Sequence, residues 1–148
     1  MAGQGKQAKV LTDAQVRRAL SEVTHRRYPL RDRVMILLSV RAGLRAKEIA
    51  MARWGMLTDA EGEVGDAIHL TNKSSKGRNG GRTIPLHKEL RAALAALKAT
   101  RNVDATDRII HSERDIGMGP IAVQVWFHRT TSRWALREPH RTAGDGPS

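Results

Sequence analysis

Between Tyr28-Pro29 and Gly43 lies the longest strongly apolar run of the chain, Val34 to Val40. The residue before a proline avoids the helical region, so a helix begins near Leu30. Gly43 follows the last periodic residue and is the natural stop. Val34, Leu37, Leu38 and Ala42 fall at helical spacing and predict an apolar face that other elements must cover. The run is far short of a bilayer span, so that cover comes from protein. With 148 residues there is room for one domain of ordinary size, and 40% hydrophobic residues can furnish its core.

The flanking segments read as helices too. Thr12-Asp13-Ala14-Gln15 spells a capping box, and Val16, Leu20 and Val23 share one face behind it. A short helix from about Ala46 to Trp54 buries Ile49, Ala50 and Trp54. The texture then changes. Thr58 to Asp66 is turn-like, Ala67-Ile68-His69-Leu70 reads as a strand, and Asn72 to Gly81 suits a hairpin tip. Arg82-Thr83-Ile84-Pro85-Leu86 is the return strand, with Pro85 confining its end to an edge. His87 to Lys98 aligns Leu90, Ala93, Leu94 and Leu97 as a helix. Arg108-Ile109-Ile110-His111 is a short strand candidate. Pro120 opens a last helix carrying Ile121, Val125 and Trp126. The expected class is α+β, mainly helical, with a small antiparallel sheet. Residues 1–9 read as a flexible basic arm, 10–129 as the folded part, and 130–148 as a tail without apolar period.

Charge narrows the partners. Lys and Arg number 26 against 15 Asp and Glu, a formal +11, which points to a polyanion. Aromatics are only 3%, too few for a base-stacking platform. The absence of Cys excludes a disulfide framework, a thiolate zinc site and a cysteine nucleophile. His25, His69, His87, His111, His128 and His140 include no pair at metal-ligand spacing, so neither metal nor cofactor is expected. No apolar stretch follows the basic N-terminal residues as in a secretory signal. The expectation at this point is a soluble, intracellular, basic single domain whose partner is a polyanion, nucleic acid first and an anionic membrane second.

Two segments carry the candidate chemistry. In Arg41 to Glu48, RAGLRAKE, a glycine stop places Arg45 at the mouth of a new helix, from which a planar, bidentate donor can reach a phosphate. Locally, Arg45 reads equally as a surface arginine. Glu48 could pin Arg45 or be a solvated helix acid. In Asn72 to Arg82, NKSSKGRNGGR, a lysine on a glycine-rich loop can enter a groove as a proton donor or phosphate contact; an exposed charged turn is the plain alternative. The spacing around Lys76 does not fit a phosphate-binding GxxxxGK[ST] loop. A helix-turn-helix starting at KEIA is disfavoured, because Gly55 is followed by MLTDAEGE and not by a second helix.

Taken in order, a helix ending in Gly, GLRAKEIA, a Trp-bearing short helix, a basic hairpin and GRTIPLHKEL resembles the catalytic domain of tyrosine recombinases, the phage-type integrases. The resemblance covers about Leu11 to Arg129. It implies a G-L-R-x-x-E box at Gly43, Leu44, Arg45 and Glu48. It also implies a catalytic lysine just before the R-x-[IV]-P-L strand, best matched by Lys76, with Lys73 second. Family chemistry implies that a Tyr attacks a DNA phosphodiester while arginines stabilise the charged transition state and the lysine protonates the leaving oxygen. By resemblance Arg45 and Lys76 are catalytic, Glu48 supports them, and Lys73, Arg78 and Arg82 contact DNA. The function implied is site-specific recombination or integration; a non-catalytic DNA-binding or RNA-binding protein is the alternative. The resemblance further implies double-stranded DNA as partner, no membrane, a cytoplasmic, nucleoid-associated location, and self-association or association with a full-length recombinase.

The inventory departs from the family in three respects. The usual N-terminal core-binding domain does not precede the match. The second box, H-x-x-R, is absent, since His140 has Ala143 at its fourth position. The sole tyrosine, Tyr28, precedes Arg45, whereas the family nucleophile comes near the domain's end. The C-terminal part of the domain is therefore expected to be missing, leaving DNA binding without cleavage. Residues from about Thr130 onward are expected to be a frameshifted reading of the family's second box. One permitted coding of Trp134 to Ser148, read from the third base of the Trp134 codon, gives G-F-E-G-A-S-S-H-S-G-R-R-T-F, which contains H-x-x-R. Only the first glycine of that reading is forced by the code.

Overall fold

The structure, a computed structural model, describes residues 12–70, 81–111 and 118–137, the last seven as backbone alone. The basic arm at 1–9, the hairpin tip, and the chain from 138 onward lie outside the described residues, so the expectations for them are untouched.

Helix α1, Asp13–Val23, opens on the expected capping box. Thr12 Oγ1 accepts from the Gln15 amide at 3.1 Å, and Gln15 Oε1 accepts from the Thr12 amide at 2.9 Å. It turns Val16, Ala19, Leu20 and Val23 into the core. Helix α2, Pro29–Ala42, buries Val34 through Leu38 without a break, so it is enclosed around its whole circumference there. Helix α1 packs on one side of it and α4, Lys88–Lys98, on another. Gly43 ends α2 in the left-handed conformation, φ 70°. Its amide donates to Ser39 O at 3.0 Å and the Leu44 amide to Leu38 O at 3.1 Å, which satisfies the last carbonyls.

The short helix expected over Ala46 to Trp54 is two pieces. Helix α3 spans Ala46–Met51, and a 3-10 turn spans Trp54–Met56. Between them Ala52 and Arg53 are extended, because their backbones pair with a later segment. The Ile109 amide donates to Ala52 O at 3.0 Å, the Trp54 amide to Asp107 O at 3.0 Å, and Arg53 bridges Arg108. This also corrects the reading of 108–111 as a sheet strand. That segment is pinned to the α3 exit, and Ile109 and Ile110 are both buried, which a one-faced strand does not do. The sheet has two strands, β1 Ala67–Leu70 and β2 Arg82–Pro85, antiparallel with Leu70 opposite Arg82 and Ala67 opposite Pro85.

Helix α5, Pro120–Arg137, packs against α3. It does not stop near Arg129 as its apolar period suggested. Its buried side is Val123 and Thr130, with Trp126 and Phe127 half-buried between them. Of the apolar residues the sequence placed on this helix, Ile121 is 74% exposed and Val125 41%, while Trp126 is half-buried. The helix carries two apolar stripes on opposite faces, and α3 covers one.

Arginines tie the α1–α2 turn to these later segments. Arg26 lies over the Trp126 ring at 5.7 Å and donates to Thr130 Oγ1 at 3.2 Å. Arg31 donates to Asp32 Oδ1 through Nε (2.9 Å) and Nη2 (2.8 Å), and to His111 O through Nη1 (3.1 Å). Asp32 is 1% exposed. Burial pushes its carboxyl above the usual value of 3.8, against the hydrogen bond and charge of Arg31 and the charge of Arg26.

Two expectations follow from this packing. A Cβ on Gly43 meets nothing within 4 Å, so Gly43→Ala costs only the left-handed backbone, about 1–2 kcal/mol in denaturant unfolding. Because the folded chain holds the Asp32 proton more tightly than the unfolded one, the stability this adds is complete below 3.8 and is lost as pH rises through the raised value. Stability curves of wild type and Asp32→Asn should therefore diverge as pH rises from 3.8, the wild type losing more; parallel curves contradict this.

Candidate nucleic-acid interface

The turn at Gly43 sets two side chains in opposite directions. Leu44 enters the core, 4% exposed, and Arg45 emerges at the start of α3 in extended conformation, φ −87°, ψ 165°. Glu48 Oε1 accepts from the Arg45 backbone amide at 3.0 Å, so this carboxylate caps the helix that Arg45 precedes. The same carboxylate receives Arg82 from β2: Nη2 donates to Oε1 and Oε2, both at 3.0 Å. Three of the residues singled out in the sequence, Arg45, Glu48 and Arg82, thus meet at one carboxylate. The Arg82 side chain is 52% exposed and that of Glu48 27%, so the pair adds at most about 1 kcal/mol.

The Arg45 guanidinium itself is exposed and has no hydrogen bond or ion pair among the described residues. Other arginines near this turn are engaged. Arg41 Nε lies 3.2 Å from Glu89 Oε1 on α4, and Arg33 Nη2 lies 3.8 Å from Glu89 Oε2. Lys73, Lys76 and Arg78 lie outside the described residues. The strand register sets Leu70 opposite Arg82, so the chain leaves and re-enters the sheet at the end held by Glu48.

A second surface was missed by sequence reasoning. The outward face of α5 presents Ile121, Gln124, Val125 and His128, all exposed, one helical turn after another. No acid occurs anywhere between Pro120 and Arg137. The absence of acids over eighteen residues was the available signal; the apolar period alone could not say which stripe would stay uncovered.

Tyr28, the sole tyrosine, precedes α2, and its ring is flanked by the Arg27 and Arg31 guanidinium groups at 5.5 and 4.7 Å. Among the described residues no group of three or more His, Cys, Asp or Glu could hold a metal ion, and no helix is long and apolar enough to cross a membrane.

The family model for the phage integrase family matches residues 9–142. The chain belongs to the phage integrase family. Its fold is that of the tyrosine-recombinase catalytic domain. XerA recombinase superposes with a TM-score of 0.67 at 14% identity, over 89% of this chain and 45% of that one. The Tn1549 transposon integrase (residues 82–397) in complex with circular intermediate DNA gives 0.62 at 19%, over 89% and 46%. The same integrase with transposon right end DNA gives 0.61 at 18%. This integrase-family chain thus spans just under half the length of the solved structures it matches, and no curated protein matches it. The family match runs past Arg129, as α5 does.

Proposed function

We propose that this chain binds the phosphate backbone of double-stranded DNA through Arg45, in the manner of a recombinase or integrase site, without cleaving it. The observation that carries this reading is an exposed guanidinium, unpartnered among the described residues, on a backbone that Glu48 fixes. The fixed backbone sets where the side chain leaves the fold, and its planar fork can meet a phosphate with two hydrogen bonds. The formal charge of +11 and the DNA in the Tn1549 integrase complexes support the same partner. Lys76, with Lys73 as second candidate, stands where the family keeps its proton donor and serves here as a phosphate contact, as do Lys73 and Arg78. The outward face of α5 adds groove contacts, since Gln can pair with adenine and apolar side chains can meet a thymine methyl. Association with a second copy or a full-length recombinase, in the nucleoid, belongs to the same proposal.

Cleavage is not part of it, for want of reactive groups. His140 has no Arg at the fourth position of an H-x-x-R box, and Tyr28 sits on α2's entry between two arginines. Members of such a constellation depend on one another, so residues 1–148 without a late Tyr and a second-box arginine are expected not to carry out the chemistry on their own. A frame change from about Thr130 onward is the proposed source of these departures.

Binding is tested by duplex affinity against salt. Log affinity should fall linearly with log salt, and Arg45→Ala should reduce the slope by about 0.9, the loss of one phosphate contact. Gln124→Ala should weaken binding with the slope unchanged. An unaltered slope in Arg45→Ala contradicts the phosphate role. On suicide substrates no denaturation-resistant protein–DNA adduct should form; if one does, Tyr28→Phe identifies or excludes the only tyrosine. Sequencing the coding DNA settles the frame: a second frame past Arg129 that lacks H-x-x-R and a later Tyr codon rejects the frameshift.

A further inference from the structure

Glu48 follows Arg45 by three residues, the spacing at which a carboxylate and a guanidinium on one helix meet. Such a pair would neutralise the cation that the proposed phosphate site needs. The structure holds a different arrangement. One Glu48 oxygen takes the Arg45 backbone amide at 3.0 Å, and both take Arg82 Nη2 at 3.0 Å, while the Arg45 guanidinium stays exposed and unpaired among the described residues. Arg41 shows the other outcome on the far side of Gly43, with its guanidinium bound to Glu89 at 3.2 Å.

We infer that Arg82 is a positioning residue that occupies the Glu48 carboxylate from β2 and so keeps the Arg45 guanidinium available to a phosphate. A carboxylate is acceptor-only, with about four lone-pair sites. The backbone amide and Arg82 fix its plane and draw its charge toward the strand. Without Arg82, the freed carboxylate lies three residues along from Arg45, the spacing at which the two side chains meet, and a phosphate then has to displace the carboxylate before it can bind. This assignment separates Arg82 from the phosphate-contacting residues with which its position in the sequence groups it, and it rests on the reading of Arg45 as a phosphate ligand.

The test compares Arg82→Ala, Glu48→Gln and the double variant in the full chain. Glutamine keeps an acceptor for the Arg45 amide but loses the charge that would capture its guanidinium. Against duplex DNA at low salt, Arg82→Ala should bind about three- to five-fold more weakly, the scale of one exposed ion pair. Adding Glu48→Gln should restore most of that loss. If Arg82 contacts phosphate directly, the second change restores nothing and the salt slope drops by about 0.9 in both chains, which overturns the inference. The Arg45 Nε–Hε signal in NMR reads the pairing without DNA. It should shift and exchange more slowly in Arg82→Ala and return in the double variant. An identical Arg45 signal in wild type and Arg82→Ala overturns the inference even if no DNA is bound, whereas a shifted signal without DNA binding sustains it and rejects the phosphate reading alone. Unfolding curves of the three variants confirm that folded chains are compared.

Discussion

Enclosure of α2 is the constraint on which the rest depends. Five consecutive residues, Val34 to Leu38, are buried, so neither face of this helix is left to water. That requires α1, α3 and α4 to pack around it, and it fixes where α2 must end. A left-handed glycine at its end turns the chain so that Leu44 continues the core and Arg45 leaves it. The candidate site is thus a consequence of how a buried helix stops, and its backbone inherits the rigidity of the core beneath it.

The surplus of positive charge is handled unevenly. Several arginines are spent on structure: Arg26 on Trp126 and Thr130, Arg31 on buried Asp32 and the His111 carbonyl, Arg33 and Arg41 on Glu89, Arg82 on Glu48. Asp32 marks the cost of the arrangement, since burial raises its carboxyl even beside Arg31. Against this background an arginine that is exposed, fixed at its backbone and left unpaired stands out. Its planar, two-pronged guanidinium suits phosphate, and among the described residues it has no internal partner.

Local rules made much of the fold legible. Thr12 and Gln15 announced a helix start, Gly43 a helix stop, and Pro85 the end of an edge strand, because each acts through its own backbone. What escaped depended on partners distant in sequence. Residues 108–111 look like a strand by composition, yet they pair with Ala52 and Arg53 at the exit of α3. In α5 the period allowed two apolar stripes, and only the position of α3 decides that Val123 is covered and Ile121 is not. The site divides in the same way. Arg45, Glu48 and Arg82 were each legible as residues of interest. That Glu48 holds Arg45 by its amide and Arg82 by its guanidinium depends on a contact across 34 residues, which spacing does not encode.

The central claim is that the Arg45 guanidinium is the exposed cation a phosphate meets, while Arg41 and Arg82 beside it are held by Glu89 and Glu48. The most direct measurement is an NMR titration of the arginine side-chain Nε–Hε signals with a short DNA duplex. Arg45 should shift saturably with added duplex, while Arg41, held by Glu89, keeps its position. An Arg45 signal that does not move, or arginine signals that all move alike, would contradict the account.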